Sequence, residues 1–278
     1  MTPRELLLQT TAAFRQAGIP DPEVDGALLL SHLTGKAPLM LRLDNDTQLA
    51  DDVVERFLAL REKRLQRVPL QYLTGEAYFL GQLFHVDERV LIPRPETELL
   101  VERAIAALQR FPAPTAIDLC CGSGCIGVSM KLGVPQASVT LTDYSPDALA
   151  VARENARRLG AEVAFCQGDL FAPVEGTFDV IVSNPPYIPA ADCLTLQEEV
   201  RREPLMALDG GADGLDFYRR IAQEAPSHLN DGGVLLLEIG WDQGDSVPAL
   251  LREAGFTDVQ AHEDFQGIRR MVEGHWHA

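Results

Sequence analysis

The stretch AIDLCCGSGCIG occupies residues 116–127 and decides the fold. Its first four residues predict a short buried strand that carries one acid, Asp118, and its last six match the pattern G-x-G-x-x-G. A nucleotide site of this kind needs a strand before the glycines, a helix after them and an acid about 20 residues further on. A helix is predicted from Cys125, and Asp143 lies 19 residues beyond Gly124. The stretch therefore predicts a ligand site where glycine backbone and a helix N-terminus meet.

Strands and helices alternate on both sides of this loop. Strands are predicted at residues 116–119, 138–142, 162–165, 178–183 and 234–239, with two closing strands at 259–261 and 268–272. Helices are predicted at residues 125–132, 145–159, 216–229 and 247–254. This alternation predicts an α/β fold: a Rossmann-like, doubly wound and mostly parallel sheet with an antiparallel closing strand. Ligands of such sheets bind at the carboxyl ends of the strands.

Acidic residues follow three successive predicted strands. They are Asp118, Asp143 and Asp169, and Asn184 closes the fourth strand. A carboxylate in the place of Asp143 can accept both hydroxyls of a ribose, and Asp169 is placed to meet an adenine edge. A nicotinamide site needs no charge at Asp118, whereas a cationic sulfonium ligand with an amino acid end benefits from nearby carboxylates. Three unrelated turn aspartates are the alternative, since Asp is common in turns.

The fourth strand ends in Asn184-Pro185-Pro186-Tyr187. The prolines cannot donate ladder hydrogen bonds, so the strand must stop there, and each holds the preceding residue extended. The carbonyls of Asn184 and Pro185 are then free to accept hydrogen bonds, beside the flat face of Tyr187. Rigid acceptors next to an aromatic ring suit a planar amide or amino group. An ordinary proline-rich turn is the alternative interpretation.

The chain before the α/β region reads as two further parts. Residues 1–75 predict a small all-α domain that meets a partner, and residues 76–95 predict a β-hairpin linker with its turn near Gly81-Gln82. Residues 96–278 then form the α/β domain. The fourth helix of the first part is expected to be capped by Asp51 or Asp52. It carries the one basic cluster of the chain, which we interpret as a solvated helix face rather than a binding patch: Arg56, Arg61, Lys63, Arg64 and Arg67.

Two prolines flank Arg94, and Pro95 is well placed to begin a helix that runs to Gln109. This segment, which also contains Glu96, is either a helix-entry turn or an edge of the active site.

Composition narrows the class of protein. The chain has 278 residues, 46% of them hydrophobic, and a net charge of −17 from 24 Lys and Arg against 41 Asp and Glu. That charge is a poor surface for phosphate backbones, so a nucleic-acid partner is disfavoured. The five cysteines include no C-x-x-C pair, which predicts reduced thiols and no metal site. No signal peptide or apolar run of membrane-spanning length is evident, so a cytoplasmic protein is expected.

The motifs together resemble a known family. Asp118 to Gly124, Asp143 and Asn184-Pro185-Pro186-Tyr187 look like the class I S-adenosylmethionine-dependent methyltransferases that methylate planar nitrogens. Further segments resemble the release factor glutamine methyltransferases (the PrmC/HemK family): 72–75, 84–86, 91–98, 203–204, 207–208, 214–218 and 238–240. The resemblance implies methyl transfer to the amide nitrogen of the glutamine in the Gly-Gly-Gln loop of class I peptide chain release factors. It also implies that the helical domain contacts the release factor, and a monomer is expected.

The resemblance assigns roles residue by residue. Asn184, Pro185 and Tyr187 would be catalytic, with Asn184 and Pro185 accepting the two amide N–H bonds. Substrate would be bound by Asn184, Pro185, Pro186, Tyr187, Arg94 and Glu96. S-adenosylmethionine would be bound by Asp118, Cys120, Cys121, Gly122, Ser123, Gly124, Asp143, Asp169, Leu170 and Asn184. The chain departs from the family at Cys120-Cys121, where Gly-Thr or a similar pair is usual, and the loss of the first glycine is expected to constrain the loop.

Other functions remain open at this point. An adenine-N6 DNA methyltransferase would use the same four residues on a flipped base, but the charge and the missing recognition domain oppose it. A ribosomal-protein glutamine methyltransferase shares the chemistry. A non-catalytic cofactor-binding regulator would bind S-adenosylmethionine without methyl transfer. A nicotinamide oxidoreductase has no use for Asn184 to Tyr187.

Overall fold

The computed structural model describes all 278 residues, which divide into two compact units. The first unit comprises Met1–Glu76 together with Gln197–Arg202, and the second comprises Ala77–Leu196 and Glu203–Ala278. A short segment from the C-terminal half of the chain thus belongs to the first unit. The predicted hairpin, apart from Glu76, falls within the second. No helix combines the length and the apolar character that a membrane crossing requires.

The first unit is helical, as the sequence predicts. Its helices are α1 (Pro3–Gln16), α2 (Pro22–Thr34), α3 (Pro38–Leu43), α4 (Asp51–Leu65) and α5 (Leu70–Thr74). A capping box begins α1, because the Thr2 side chain accepts from the Glu5 N–H while the Glu5 carboxylate accepts from the Thr2 N–H. The expected cap of α4 is wrong: Ala50 occupies the N-cap position, and Asp51 and Asp52 lie in the first turn, where they complement the helix dipole.

Two members of the basic cluster, Arg64 on α4 and Arg67 just beyond it, are not part of a solvated face. Arg64 is buried, and its guanidinium donates to Asp25 at 2.7 Å and to Glu199 at 2.9 Å. Arg67 donates to Glu199 as well, at 3.0 Å. Burial raises the pKa of Asp25 and outweighs the opposing effect of the Arg64 hydrogen bond. The sequence could not show this, because Glu199 lies 135 residues from Arg64 and carries no local signal.

The second unit begins with a hairpin, β1 (Glu76–Phe79) and β2 (Gln82–His85). Its turn residues are Leu80 and Gly81, one position earlier than predicted, and both have positive φ angles, 47° and 73°. Two consecutive left-handed residues are what a tight type I′ hairpin turn requires. The buried side chain of Asn155 binds the backbone N–H and carbonyl of His85 and also the carbonyl of Ser123. The hairpin is therefore tied directly to the glycine loop.

The remaining elements of the second unit form a seven-stranded sheet covered by helices, as predicted. Its strands are β3 (Thr115–Leu119), β4 (Ser138–Asp143), β5 (Ala164–Gln167), β6 (Phe178–Ser183), β7 (Leu229–Glu238), β8 (Thr257–Glu263) and β9 (Arg269–His275). The helices are α6 (Pro95–Leu108), α7 (Cys125–Gly133), α8 (Pro146–Leu159), α9 (Asp216–Glu224) and α10 (Ser246–Glu253). The strand order is β5-β4-β3-β6-β7-β9-β8, with β9 alone antiparallel to its neighbours.

The register of the central strands places the site. Leu119 at the end of β3 pairs with Thr142 on one side and with Ser183, the end of β6, on the other. The Ser183 hydroxyl donates to the Leu119 carbonyl at 2.8 Å and fastens the two strand ends together. The residues that follow, Cys120 and Asn184, must therefore emerge side by side. This is the point where the order of the strands reverses, and ligands of doubly wound sheets bind in that crevice.

Candidate active site

A cavity of about 490 Å³ opens at the carboxyl ends of the central strands. Its volume lies in the range of about 300–1,000 Å³ that is typical of small-molecule sites. Six of the residues predicted from the sequence line it: Cys120, Gly122, Asp143, Asp169, Asn184 and Pro186. The same cavity is lined by Phe217 and Arg220 of α9 and by Pro204, Met206 and Ala207. Strand ends far apart in sequence thus contribute to one site.

The backbone at Cys120 is left-handed although the residue is not glycine. Cys120 has a φ of 58°, in the left-handed region that glycine usually occupies. The loop then packs closely, because a Cβ on Gly124 would lie 3.0 Å from the Ala152 Cβ, and one on Gly127 would lie 2.6 Å from Leu141. Burial raises the pKa of the Cys120, Cys121 and Cys125 thiols, which therefore stay protonated. Cys121 and Ser123 are buried behind the loop surface.

Asp118 and Asp143 occupy different depths of the site. Asp118 is fully buried, its Oδ2 accepts from the Gly127 N–H at 2.8 Å, and its Oδ1 has no partner. Burial raises the pKa of Asp118 to about 8. Asp143 lines the cavity, where it accepts from the N–H groups of Gly122 and Ser145, both at 2.9 Å. Burial raises the pKa of Asp143 as well. The Asp118 carboxyl thus holds the loop from its buried side, while Asp143 faces the cavity.

Asp169 and Leu170 follow β5. Asp169 is exposed at the cavity edge, and its Oδ2 accepts from Arg220 at 2.8 Å. Leu170 is buried in the second unit's core with a φ of 50°. Its side chain therefore packs in the core, and the cavity is lined by Asp169 but not by Leu170.

The Asn184 to Tyr187 turn is held rigid from several sides. Pro185 and Pro186 are buried, and the Tyr187 carbonyl accepts from Gln243 Nε2 at 3.0 Å. Gly214 approaches so closely that a Cβ there would stand 2.3 Å from the Tyr187 carbonyl oxygen. Burial raises the pKa of the Tyr187 phenol, which is therefore neutral.

The Asn184 side chain has a polar neighbour that the sequence did not reveal. Its Nδ2 donates to the Thr97 hydroxyl at 3.4 Å, and that hydroxyl donates to Glu238 Oε2 at 2.6 Å. Thr97 and Glu238 are both buried. They lie at the start of α6 and at the end of β7, and only the fold brings them to Asn184. The segments 91–98 and 238–240 were noted for their resemblance, but neither residue was given a role.

Arg94 is engaged by a buried acid that the sequence also left without a role. Glu203 accepts from Arg94 at 2.6 Å and from the backbone N–H of Ile92 at 2.9 Å. Burial raises the pKa of Glu203, against the opposing charge of Arg94. Arg94 thereby braces the segment before α6 against the segment after the Asn184 turn. Glu96 is half-buried on the same turn of α6 as Thr97.

Comparison with known proteins identifies the class. The family model "Methyltransferase small domain" matches residues 95–201, and "PrmC N-terminal domain" matches residues 5–75. A methyltransferase of known structure from Pyrococcus furiosus superimposes with a TM-score of 0.54 at 20% identity, over 82% of this chain and all of that one. The second unit therefore has the fold of a class I methyltransferase.

The family follows from two full-length relatives. The release factor glutamine methyltransferase of Deinococcus radiodurans is 43% identical, over 97% of this chain and 96% of the relative. That of Chlorobaculum tepidum is 44% identical, over 96% of this chain and 94% of the relative. The chain belongs to the release factor glutamine methyltransferase family.

Methyltransferases of this kind use S-adenosylmethionine as the methyl donor. The residues of the cavity fit that molecule. Asp143 offers the cavity a carboxylate, which can accept hydrogen bonds from hydroxyl groups, and the Asp118 Oδ1 is a buried polar atom without a partner. Cys120 has a left-handed backbone conformation, and it lines the cavity together with Gly122 of the loop.

Proposed function

We propose that this protein transfers a methyl group from S-adenosylmethionine to the side-chain amide nitrogen of the glutamine in the Gly-Gly-Gln loop of class I peptide chain release factors. The observation that carries the proposal is the position of Asn184. Asn184 lines the cavity together with Cys120, and it follows β6, the strand that pairs with β3 before the glycine loop. The sequence identity of 43% and 44% to two release factor glutamine methyltransferases, over nearly the whole chain, supports the same acceptor.

An amide nitrogen is a poor nucleophile because its lone pair is delocalised into the carbonyl. When bound, S-adenosylmethionine supplies an electrophilic methyl group on a sulfonium. The Asn184 Oδ1 and the Pro185 carbonyl would accept the two N–H bonds of the glutamine amide and so orient its nitrogen for attack on the methyl group. Both acceptors stabilise the positive charge that develops on nitrogen as the N–C bond forms and the S–C bond breaks. One amide proton then leaves to water.

The rest of the turn keeps these acceptors in place. Pro185 and Pro186 fix the backbone, and the Gln243 bond to the Tyr187 carbonyl holds the end of the turn. Tyr187 is neutral and supplies an aromatic face for the amide plane. Arg94 acts here through its bond to Glu203, and we assign it to bracing the site rather than to direct binding.

The surface around the site suits a protein acceptor. Met206 lines the cavity and is 49% exposed, and its neighbour Leu205 is 60% exposed, so apolar side chains are exposed beside the cavity. In the helical unit, α3 exposes Leu39, Met40 and Leu43, an apolar face that suits contact with the release factor. The net charge of −17 favours a protein over DNA. We further infer a monomer that acts in the cytoplasm, where translation and its release factors work.

Incubation with labelled S-adenosylmethionine tests the acceptor. A purified class I release factor should take up label, a variant with its loop glutamine changed to alanine should take up none, and adenine-containing DNA should stay unlabelled. Equal labelling of both release factors would remove glutamine as the acceptor, and labelled DNA would favour the adenine-N6 reaction.

The Asn184→Ala variant tests the proposed clamp. It should keep most of its affinity for S-adenosylmethionine and lose about 100-fold or more in kcat, the usual effect of removing one preorganised hydrogen-bonding group. Unchanged turnover would refute the role of Asn184.

A further inference from the structure

Two consecutive hydrogen bonds link three residues and end on the side chain that is proposed to hold the substrate amide. Asn184 Nδ2 donates to Thr97 Oγ1 at 3.4 Å, and Thr97 donates to Glu238 Oε2 at 2.6 Å. Thr97 is 2% exposed and Glu238 is 3% exposed, so water does not compete for these groups. Tyr218 donates to the Glu238 backbone carbonyl at 2.8 Å and anchors the strand end that carries the acid.

The charge of Glu238 dictates the direction of these hydrogen bonds. An ionised carboxylate only accepts hydrogen bonds, so the single proton of the Thr97 hydroxyl must point to Glu238. The Thr97 oxygen then has only lone pairs to offer Asn184, and a lone pair binds the Nδ2 side of an amide. The opposite side, Oδ1, is consequently turned away from Thr97. An asparagine that presented Nδ2 to the substrate would face donor with donor and could not hold the glutamine N–H.

We propose that Thr97 and Glu238 are positioning residues that fix the side-chain orientation of Asn184, so that its oxygen and not its nitrogen meets the substrate amide. The inference rests on the proposed function, because it needs an acceptor at the substrate side. It adds a condition: Glu238 must be ionised, because its charge sets the direction of both hydrogen bonds.

That condition makes turnover pH-dependent. Burial raises the pKa of Glu238 to about 7; the Thr97 hydrogen bond and the charges of Arg270 and Arg94 oppose the rise, and Glu96 adds to it. The other titratable groups around it, the phenols of Tyr187 and Tyr218 and the Cys125 thiol, have pKa values raised by burial and stay neutral. A protonated Glu238 can donate to Thr97, which frees the Thr97 proton to bind Asn184 and allows the amide to flip. Turnover should therefore fall as the pH falls below about 7.

The test compares kcat, the KM for release factor and the Kd for S-adenosylmethionine between pH 5.5 and pH 9, a range of roughly two pH units to either side of neutrality. The variants are Thr97→Ser, Thr97→Val and Glu238→Gln. Thr142→Val is the matched control, because Thr142 is a buried threonine of the same unit whose hydroxyl has no partner. Thr97→Val should lose about 100-fold in kcat, as a misplaced active-site group does, with the Kd unchanged. Thr97→Ser and Thr142→Val should stay near wild type.

The pH profile separates positioning from a general structural role. The acid limb of kcat should be present in wild type and Thr97→Ser and absent from Thr97→Val and Glu238→Gln. Full turnover in Thr97→Val, or an acid limb that persists in it, would overturn the inference while leaving the proposed function intact. If Thr97→Val fails to bind S-adenosylmethionine, Glu238→Gln decides: a flat profile supports the inference and a persisting acid limb overturns it. A wild type that methylates no release factor overturns the proposed function and this inference together.

Discussion

Cys120 offers a sharp test of how the loop is built, because it holds a left-handed conformation with a φ of 58°. A side chain there costs about 1–2 kcal/mol relative to right-handed backbone, whereas glycine is free of the penalty. Glycine loses about 0.5–1 kcal/mol of this advantage through its more disordered unfolded state. Cys120→Gly should therefore be more stable than Cys120→Ala by about 0.5–1 kcal/mol, a comparison in which both variants lack the thiol.

Ser129 provides the matched control, since it lies in the middle of α7. There the order should reverse, and Ser129→Ala should be more stable than Ser129→Gly by about 1 kcal/mol. Urea unfolding measures the free energy of unfolding of all four variants. In thermal unfolding, a difference of 1 kcal/mol corresponds to about 2–4 °C in Tm for a unit of this size. If Cys120→Gly is no more stable than Cys120→Ala, the loop does not hold the left-handed conformation and the argument for its shape is refuted.

Three further predictions concern other parts of the molecule. Burial raises the pKa of Asp118 to about 8, so the folded state holds a proton there that the unfolded state releases near pH 4; the unfolding free energy without cofactor should fall as the pH rises from about 4 to 8, and Asp118→Asn should make that fall smaller. Gly127→Ala should cost about 1–3 kcal/mol and weaken S-adenosylmethionine binding in calorimetry, because its Cβ would meet Leu141 at 2.6 Å. Arg64→Met should destabilise the chain by about 3 kcal/mol in urea, whereas the exposed Arg56→Met should change stability by less than about 0.5 kcal/mol; equal effects would contradict the buried ion pair.

The fold was predictable where the sequence clearly marks the beginning or the end of a strand or helix. The strand at 178–183 was placed correctly to the residue, because an apolar run ends at Asn184 and two prolines. The helix from Pro95 was also predicted, by a proline at its first position. The strand predicted at 162–165 lies at Ala164–Gln167 instead, since this edge strand is only partly buried and lacks a clear pattern. β7 begins at Leu229 rather than at 234, where glycines and polar residues hide its first half.

The candidate site was predictable only as far as strand ends are readable in sequence. Asp143 and Asn184 follow apolar strands, and the register alone then brings them to one cavity. Thr97 could not be found in this way, because 87 residues separate it from Asn184 and a buried threonine in the first turn of a helix has no distinguishing pattern. Glu238 likewise reads as the last residue of a strand. Contacts of this kind depend on packing, which the one-dimensional pattern does not carry.

The measurement that tests the account most directly is tandem mass spectrometry of a class I release factor after incubation with the protein and S-adenosylmethionine. The account predicts one added methyl group, located on the side-chain amide of the glutamine in the Gly-Gly-Gln loop, and none after incubation with Asn184→Ala. A methyl group on any other residue, or an unmodified glutamine beside an active preparation of the wild-type protein, would contradict it.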